Sequence, residues 1–125
     1  MDVTPLVPLG RQIVESYGNG GFKVSGAAFR GSILVLPERT VAWAAAAIAG
    51  LDVAGLEPIF AAEPSIEVLF IGCGTTMAFI DPDLRAAASR RGVALEPMDT
   101  GAACRTYNVL VAEDRRVAAA LIAVD

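Results

Sequence analysis

A chain of 125 residues, 54% of them hydrophobic and with a mean hydropathy of +0.54, has the make-up of one domain with one core and excludes intrinsic disorder. Its net charge of −4 argues against nucleic acid as a partner, which calls for a basic surface. No histidine is present, which excludes a Ser-His-Asp arrangement and His-containing zinc sites, and Cys73 and Cys104 are too few for a Cys-only site and form no CxxC motif, so no metal and no cofactor are expected.

In chain order, "MDVTPLVPLGRQIVE" carries Asp2, Pro5 and Pro8 and lacks the basic region and apolar run of a secretory signal. It is not an Arg-rich transit sequence either. Residues 1–12 are expected to be an extension, residues 13–125 a single domain, and the protein cytoplasmic. "RQIVESYGNGGFKVSG" predicts strand, turn, strand: Ile13, Glu15 and Tyr17 alternate with Val14 and Ser16, and the run Gly18–Gly21 supplies the positive-φ residues of a tight reversal. Phe22, Val24 and Ala27 continue the apolar positions, with Gly26 as a candidate bulge. "FRGSILVLP" adds a turn at Arg30–Gly31 and a buried strand over residues 32–36 that Pro37 stops. The first third therefore reads as an antiparallel meander, whose exposed edge leaves a homodimer open.

Residues 41–49, "VAWAAAAIA", satisfy two readings. Alanine propensity favours helix, whereas continuity with the preceding strands favours an extended segment with Trp43 in the core. The longest apolar stretch here is interrupted by Gly50, Asp52 and Gly55, so no integral membrane segment is expected. Asp52 predicts the N-cap of a short helix over about residues 53–61, with Pro58 falling inside its second turn. "SIEVLFIG" is a near-continuous apolar run ending in glycine, as in a strand covered on both faces. Asp81 and Pro82 open a helix that Gly92 closes, with Arg90 and Arg91 at its negative end. "VALEPM" is a second strand, Asp99 or Thr100 caps a helix running to about Glu113, and "RRVAAALIAV" is the last strand. The pairs Arg90–Arg91 and Arg115–Arg116 read as solvated element ends. The fold class is α/β: a single domain with a mixed central sheet, an N-terminal antiparallel meander followed by a parallel β-α-β-α-β unit.

Parallel strands bring the loops after their C-terminal ends to one edge, where open α/β sheets bind ligands. Two loops meet there, "GCGTT" (Gly72, Cys73, Gly74, Thr75, Thr76) and "DTGAACRTYN" (Asp99 to Asn108). Glycines let backbone N–H groups approach a ligand, and a helix start near Gly101 offers unpaired donors. Arg105 adds a forked donor for a carboxylate or phosphate, or an ion pair with Asp99 or Glu113. "GCGTT" lacks the Lys-Ser/Thr end of a Walker loop and also reads as a structural turn. Ala103, Tyr107, Leu110 and Val111 follow core-facing spacing, so Tyr107 reads as a core aromatic with a bonded hydroxyl, and Asn108 as a ligand group or a partner of a neighbouring turn. Cys104 in the first turns of a helix allows a lowered thiol pKa and, with Cys73, a redox pair; the other reading is a buried thiol that simply packs. Asp99 is the one well-placed carboxylate, with no second carboxylate paired to it, so no catalytic residue is assigned. The binding candidates are Gly72, Cys73, Gly74, Thr75, Asp99, Thr100, Cys104, Arg105, Thr106, Tyr107 and Asn108.

"MDTGAACRTYNVLVAEDRRVAAALI", with "IVESYGNGGFKVSG", "GSILVLP" followed by Trp43, and "IEVLFIGCGTTM", resembles the Mth-like domain family of unknown function, over about Ile13 to Val124. That family includes the mitochondrial respiratory complex I assembly factor three. The resemblance implies a compact domain with a mixed central sheet and Trp43 in an extended segment, and it brings no established catalytic activity. Gly72, Gly74, Arg105, Thr106, Tyr107 and Asn108 match the family pattern, whereas Cys73 stands where members often carry threonine, which weakens the redox pair. The mitochondrial relatives act as non-enzymatic assembly factors with partner proteins, which implies an accessory or assembly protein with a protein partner. The lack of a targeting sequence suggests a bacterial cytosolic relative. The alternative is a small-molecule or anion-binding protein, with or without catalysis, using the cleft at the strand ends.

Overall fold

The computed structural model describes residues 10–125; of the extension expected over residues 1–12, residues 1–9 lie outside the described residues. Strands β1 (Val14–Gly18), β2 (Gly21–Val24) and β3 (Ala27–Arg30) form the antiparallel meander. Gly18, Asn19 and Gly20 all have positive φ in the first reversal, and Ser25 and Gly26 in the second. Gly26 is thus a turn residue; the irregularity in the ladder falls between Val14 and Ser16 instead.

The next strand, β4 (Ile33–Val35), leaves the meander. It pairs antiparallel with β5 (Thr40–Ala42) on one side and with β8 (Val117–Leu121) on the other. Its three residues are all buried, so it needs cover on both faces. A central place in the larger sheet supplies that cover; a place beside β3, whose residues are mostly exposed, would not. The second sheet has the order β5-β4-β8-β6-β7, with β6 (Val68–Gly72) parallel to both β8 and β7 (Ala94–Met98). Pro97 lies on β7, an edge strand, where the missing donor costs no ladder bond.

Trp43 follows β5 in extended backbone, donating its N–H to the Ser32 carbonyl at 2.9 Å, and it is buried. The alanines after it form no helix: residues 44–47 are irregular and lead to a single 3-10 turn at Ile48–Gly50. Anchoring of Trp43 in the core overrides alanine propensity here. Asp52 accepts the Gly55 N–H at 2.7 Å, and the expected short helix is a 3-10 turn (Ala54–Leu56) running into helix α1 (Glu57–Phe60). Pro58 takes the second position of α1, where no intrahelical bond is lost.

Helix α2 (Pro82–Arg90) connects β6 to β7, and helix α3 (Thr100–Ala112) connects β7 to β8. The two crossovers run in opposite directions along the sheet, so the helices cover opposite faces. On one face Leu84 and Ala88 of α2 pack with Leu69, Ile71, Trp43, Leu56 and Ile59; on the other Ala103, Tyr107 and Val111 of α3 pack with Phe70, Ile33, Val35 and the meander's Phe22 and Val24. The central strand β8 is buried along its whole length and supplies Ala118 and Ala120 to the first core, Ala119 to the second. Of the two arginine pairs, Arg90 and Arg115 are the solvated ends expected, and their neighbours are paired. Arg91 pairs with Glu57 at 2.9 Å and lies over the Phe60 ring, and Arg116 pairs with Glu38 at 2.5 Å, which in turn faces Arg11.

Gly72 ends β6 against α3. A Cβ there would stand 2.9 Å from the Thr100 Cα and 3.1 Å from a Leu121 methyl. Gly72→Ala is therefore expected to lower unfolding free energy by about 1–3 kcal/mol, read by urea denaturation; an unchanged midpoint with an unchanged slope would contradict this packing.

Candidate functional site

The two polar loops do meet at the C-terminal edge of the parallel strands, but they bind each other. Asp99 caps α3, accepting the Ala102 N–H at 3.0 Å. Thr100 is fully buried. Its N–H donates to the Gly74 carbonyl at 2.8 Å, its hydroxyl accepts the Gly74 N–H at 3.0 Å, and the hydroxyl proton goes to the Ile122 carbonyl at 2.8 Å. Cys73 N–H reaches the Met98 carbonyl, and Ile122 N–H the Gly72 carbonyl. These bonds close the crevice where the strand order reverses, the place at which this class of sheet ordinarily opens for a ligand.

The candidate residues consequently divide between two shallow grooves. Cys73, Gly74 and Thr75 border one of about 340 Å³ with Ala46–Ile48 and the C-terminal residues. Cys104, Arg105 and Asn108 border another of about 420 Å³ with Val14, Glu15, Ser16 and Tyr17. Gly72, Asp99, Thr100 and Tyr107 lie in neither lining. Thr106 is half-buried on α3 and outside both.

Two of these residues bind the meander to α3. Asn108 accepts the Val14 N–H at 2.9 Å and donates to the Val14 carbonyl at 2.8 Å, standing in for a neighbouring strand along the outer side of β1. The Tyr107 hydroxyl donates to the Gln12 carbonyl at 2.8 Å, with the Leu36 carbonyl 3.3 Å away, and burial pushes its pKa above the ordinary value. Both bonds tie chain segments more than 70 residues apart in sequence.

The redox reading is overturned. Cys104 is 3% exposed, and burial pushes its thiol from 9.0 up to about 12, against a smaller opposing pull from Arg105. A backbone hydrogen bond also pulls it down, but desolvation outweighs both, and the nearby Asp99 carboxylate adds to the upward shift. The Cys73 thiol faces the Ile71 and Ala78 carbonyls, and both cysteines are free thiols.

Of the candidates, Thr75 and Arg105 are exposed, and Arg105 is the one that carries charge. Among the described residues it has no ion-pair partner, Asp99 and Glu113 included. It borders the same groove as Tyr17, a residue the sequence placed only in a strand. Tyr17 is 44% exposed, and its hydroxyl sits over Gly101 so closely that a Cβ there would overlap it. The same Cβ would lie 3.2 Å from Arg105 Nη1. Gly101 is therefore a close-approach glycine, and a glycine inside the first turn of an otherwise good helix was the signal available for it. Arg105 and Tyr17 together present a cation and a phenol on one exposed face. Among the described residues, no group of three His, Cys, Asp or Glu side chains is placed to hold a metal.

A family model described as "Protein of unknown function (DUF498/DUF598)" matches residues 14–122. The chain belongs to this family. It is 34% identical over 109 residues to NADH dehydrogenase [ubiquinone] 1 alpha subcomplex assembly factor 3 of Xenopus tropicalis, covering 87% of this chain and 60% of that protein. It is 36% identical over 109 residues to an uncharacterised protein of Rhodobacter capsulatus, covering 87% and 82%. The chain thus spans less than two thirds of the length of the Xenopus relative. Among solved structures, a Bartonella henselae protein described as an outer membrane protein aligns with a TM-score of 0.86 at 36% identity over 93% of this chain and 98% of its own. A Bordetella pertussis Mth938-like domain aligns with a TM-score of 0.80 at 28% identity, covering 98% and 92%. The mixed α/β single domain and the Mth-like family, with its complex I assembly factor 3 members, are as the sequence implied. No helix among the described residues is long and apolar enough to cross a membrane.

Cys104 and Tyr107 both hold their protons more tightly in the folded state than at their ordinary values. The unfolded chain loses these protons first as pH rises, so their contribution to stability is complete below about pH 9 and declines toward pH 12. Urea midpoints measured at about pH 8 and about pH 10.5 are expected to fall, and to fall less in Cys104→Ala. Equal falls in the two proteins would contradict the burial of the thiol.

Proposed function

We propose that this protein is a cytoplasmic accessory or assembly protein that acts through protein contacts, in the manner of the complex I assembly factor 3 relatives, and that it is not an enzyme. The observation that carries this reading is how the polar groups are used. Asp99, Thr100, Tyr107 and Asn108 spend their hydrogen bonds on holding the fold together. The redox candidate Cys104 is buried and protonated. The exposed remainder, Arg105 beside Tyr17, has the two residue types that most often anchor protein interfaces. A second reading has one specific observation in its favour: Arg105, lacking an ion-pair partner, stands ready for a small carboxylate or phosphate in the 420 Å³ groove.

The test is affinity purification from the native host, wild type beside Arg105→Ala, with mass spectrometry of what is retained. A stoichiometric protein partner, lost in the variant while its melting temperature stays within a few degrees of wild type, is the expected outcome. Full retention of the partner by Arg105→Ala would move the interface elsewhere. Absence of any partner, with melting temperature raised by phosphate or a small carboxylate in wild type but not in the variant, would favour the second reading.

A further inference from the structure

The meander has a use that its packing leaves open. The outer side of β1 is closed by Asn108, which satisfies the N–H and C=O of Val14. On the five-stranded sheet, edge strand β7 carries Pro97, and edge strand β5 is three residues long and runs straight into the anchored Trp43. β3 is different. It is a full four-residue edge strand, "AAFR", with exposed Ala27 and Ala28, no proline, and no strand on its outer side among the described residues. An uncovered edge of this kind is a template for an added strand.

The charge of that edge selects the addition. Lys23 lies opposite Ala28, and Arg30 opposite Gly21, on the face of the meander turned away from α3. Lys23 and Arg30 have no ion-pair partner among the described residues, a state they share with Arg39, Arg85, Arg90, Arg105 and Arg115, whereas Arg11, Arg91 and Arg116 are paired. Glu15 is the one acid in the segment from Gly10 to Ser32, and its carboxylate is already bonded to the Gly26 N–H at the hairpin turn. Within this segment the cations outnumber the acids in a chain of net charge −4; from outside it, the Val124 carbonyl accepts the Gly20 N–H and so brings Asp125 to the Gly18–Gly21 end, without an ion pair to Lys23 or Arg30 among the described residues. Gly18 and Gly21 leave the space between these cations empty of side chains, a groove of about 350 Å³ that also borders Ser16 and Ala28. The absence of a side chain at Gly21 is forced, since a Cβ would overlap the Phe29 carbonyl oxygen of β3.

We infer that β3 is the docking strand for an extended acidic segment of a partner protein, which adds to the meander as a fourth strand and sets its carboxylates beside Lys23 and Arg30. Alternate residues of an added strand project to one face, so an acid at every second position reaches both cations. A second copy of this chain is disfavoured by the same charges. Two-fold pairing through β3 would lay two Lys23 and two Arg30 side chains on one continuous face without an acid to balance them. This inference rests on the reading of the protein as one that acts through protein contacts, and it gives that partner its chemistry.

The experiment uses the full chain and a defined probe: a fluorescein-labelled peptide alternating valine and glutamate, beside a valine–lysine peptide of equal length. Fluorescence anisotropy is expected to show binding of the glutamate peptide only, weakening as salt rises. Amide hydrogen exchange is expected to slow at Ala27–Arg30 on binding. Lys23→Glu/Arg30→Glu, at exposed positions and checked for unchanged melting, is expected to bind about tenfold more weakly. Equal binding of the two peptides, protection away from β3, or no binding of the glutamate peptide would overturn the inference. So would β3 protection that depends on protein concentration without peptide, which would mean a second copy. None of these outcomes depends on the Arg105 pull-down, so loss of one result leaves the other interpretable.

Discussion

Thr100 is the contact on which the architecture turns. One buried side chain and its own N–H join three chain segments: the loop leaving β6 through Gly74, the start of α3, and the end of β8 through Ile122. A buried hydroxyl without partners would cost about 1–3 kcal/mol; with both donor and acceptor roles filled it instead fixes the relative positions of three strand ends. Gly72 permits this, because only a residue without Cβ lets β6 end so near the Thr100 backbone. The same contact closes the topological crevice, which leaves shallow grooves beside the strand ends as the open surfaces.

The two cores explain why the chain can be so rich in alanine. β8 runs through the middle of the larger sheet and is covered on both sides, by α2 with the Trp43 excursion and by α3 with the meander. Its alanines fill little space, which lets bulky groups approach from either side: Ile71, Ile66 and Trp43 on one, Tyr107, Phe70 and Phe22 on the other. The meander is a separate small sheet, too small to be stable alone, and it is held by α3. Asn108 and Tyr107 hold it with three bonds to Gln12 and Val14, and Phe22 and Val24 add their apolar surface. A sheet held by one side and one face keeps its other edge exposed.

Much of this was legible in the residues. The glycine reversals, the Asp81 and Asp99 caps, the apolar β6 and the core face of α3 follow from local physics that a short window contains. Several readings departed, and two of them show why. Ser32–Leu36 looked like one more meander strand, because adjacency in sequence suggests pairing; complete burial of Ile33, Leu34 and Val35 instead demanded a central place. Cys104 looked activated at a helix start, because spacing shows the helix but not the desolvation. The concentration of polar groups between Met98 and Leu110 was visible from the outset, yet its reason was not. A side chain bonding a backbone 94 residues away, as Asn108 does with Val14, leaves no periodic trace.

The sequence by itself determined the class of fold, the single domain and the order of most elements, since these are carried by local patterns of apolar spacing, caps and turns, and it placed the chain in its family through the motifs it shares with that family. Tertiary structure decided which polar residues are internal fasteners and which face outward. Thr100, Tyr107 and Asn108 are of the same chemical types as Tyr17 and Ser16, and only the path of the distant strands gives the first group buried partners. Arg105, Lys23 and Arg30 face outward with no carboxylate in ion-pair reach among the described residues. Hydrogen-bond satisfaction and charge pairing are properties of neighbours in space, and a chain position acquires those neighbours only on folding.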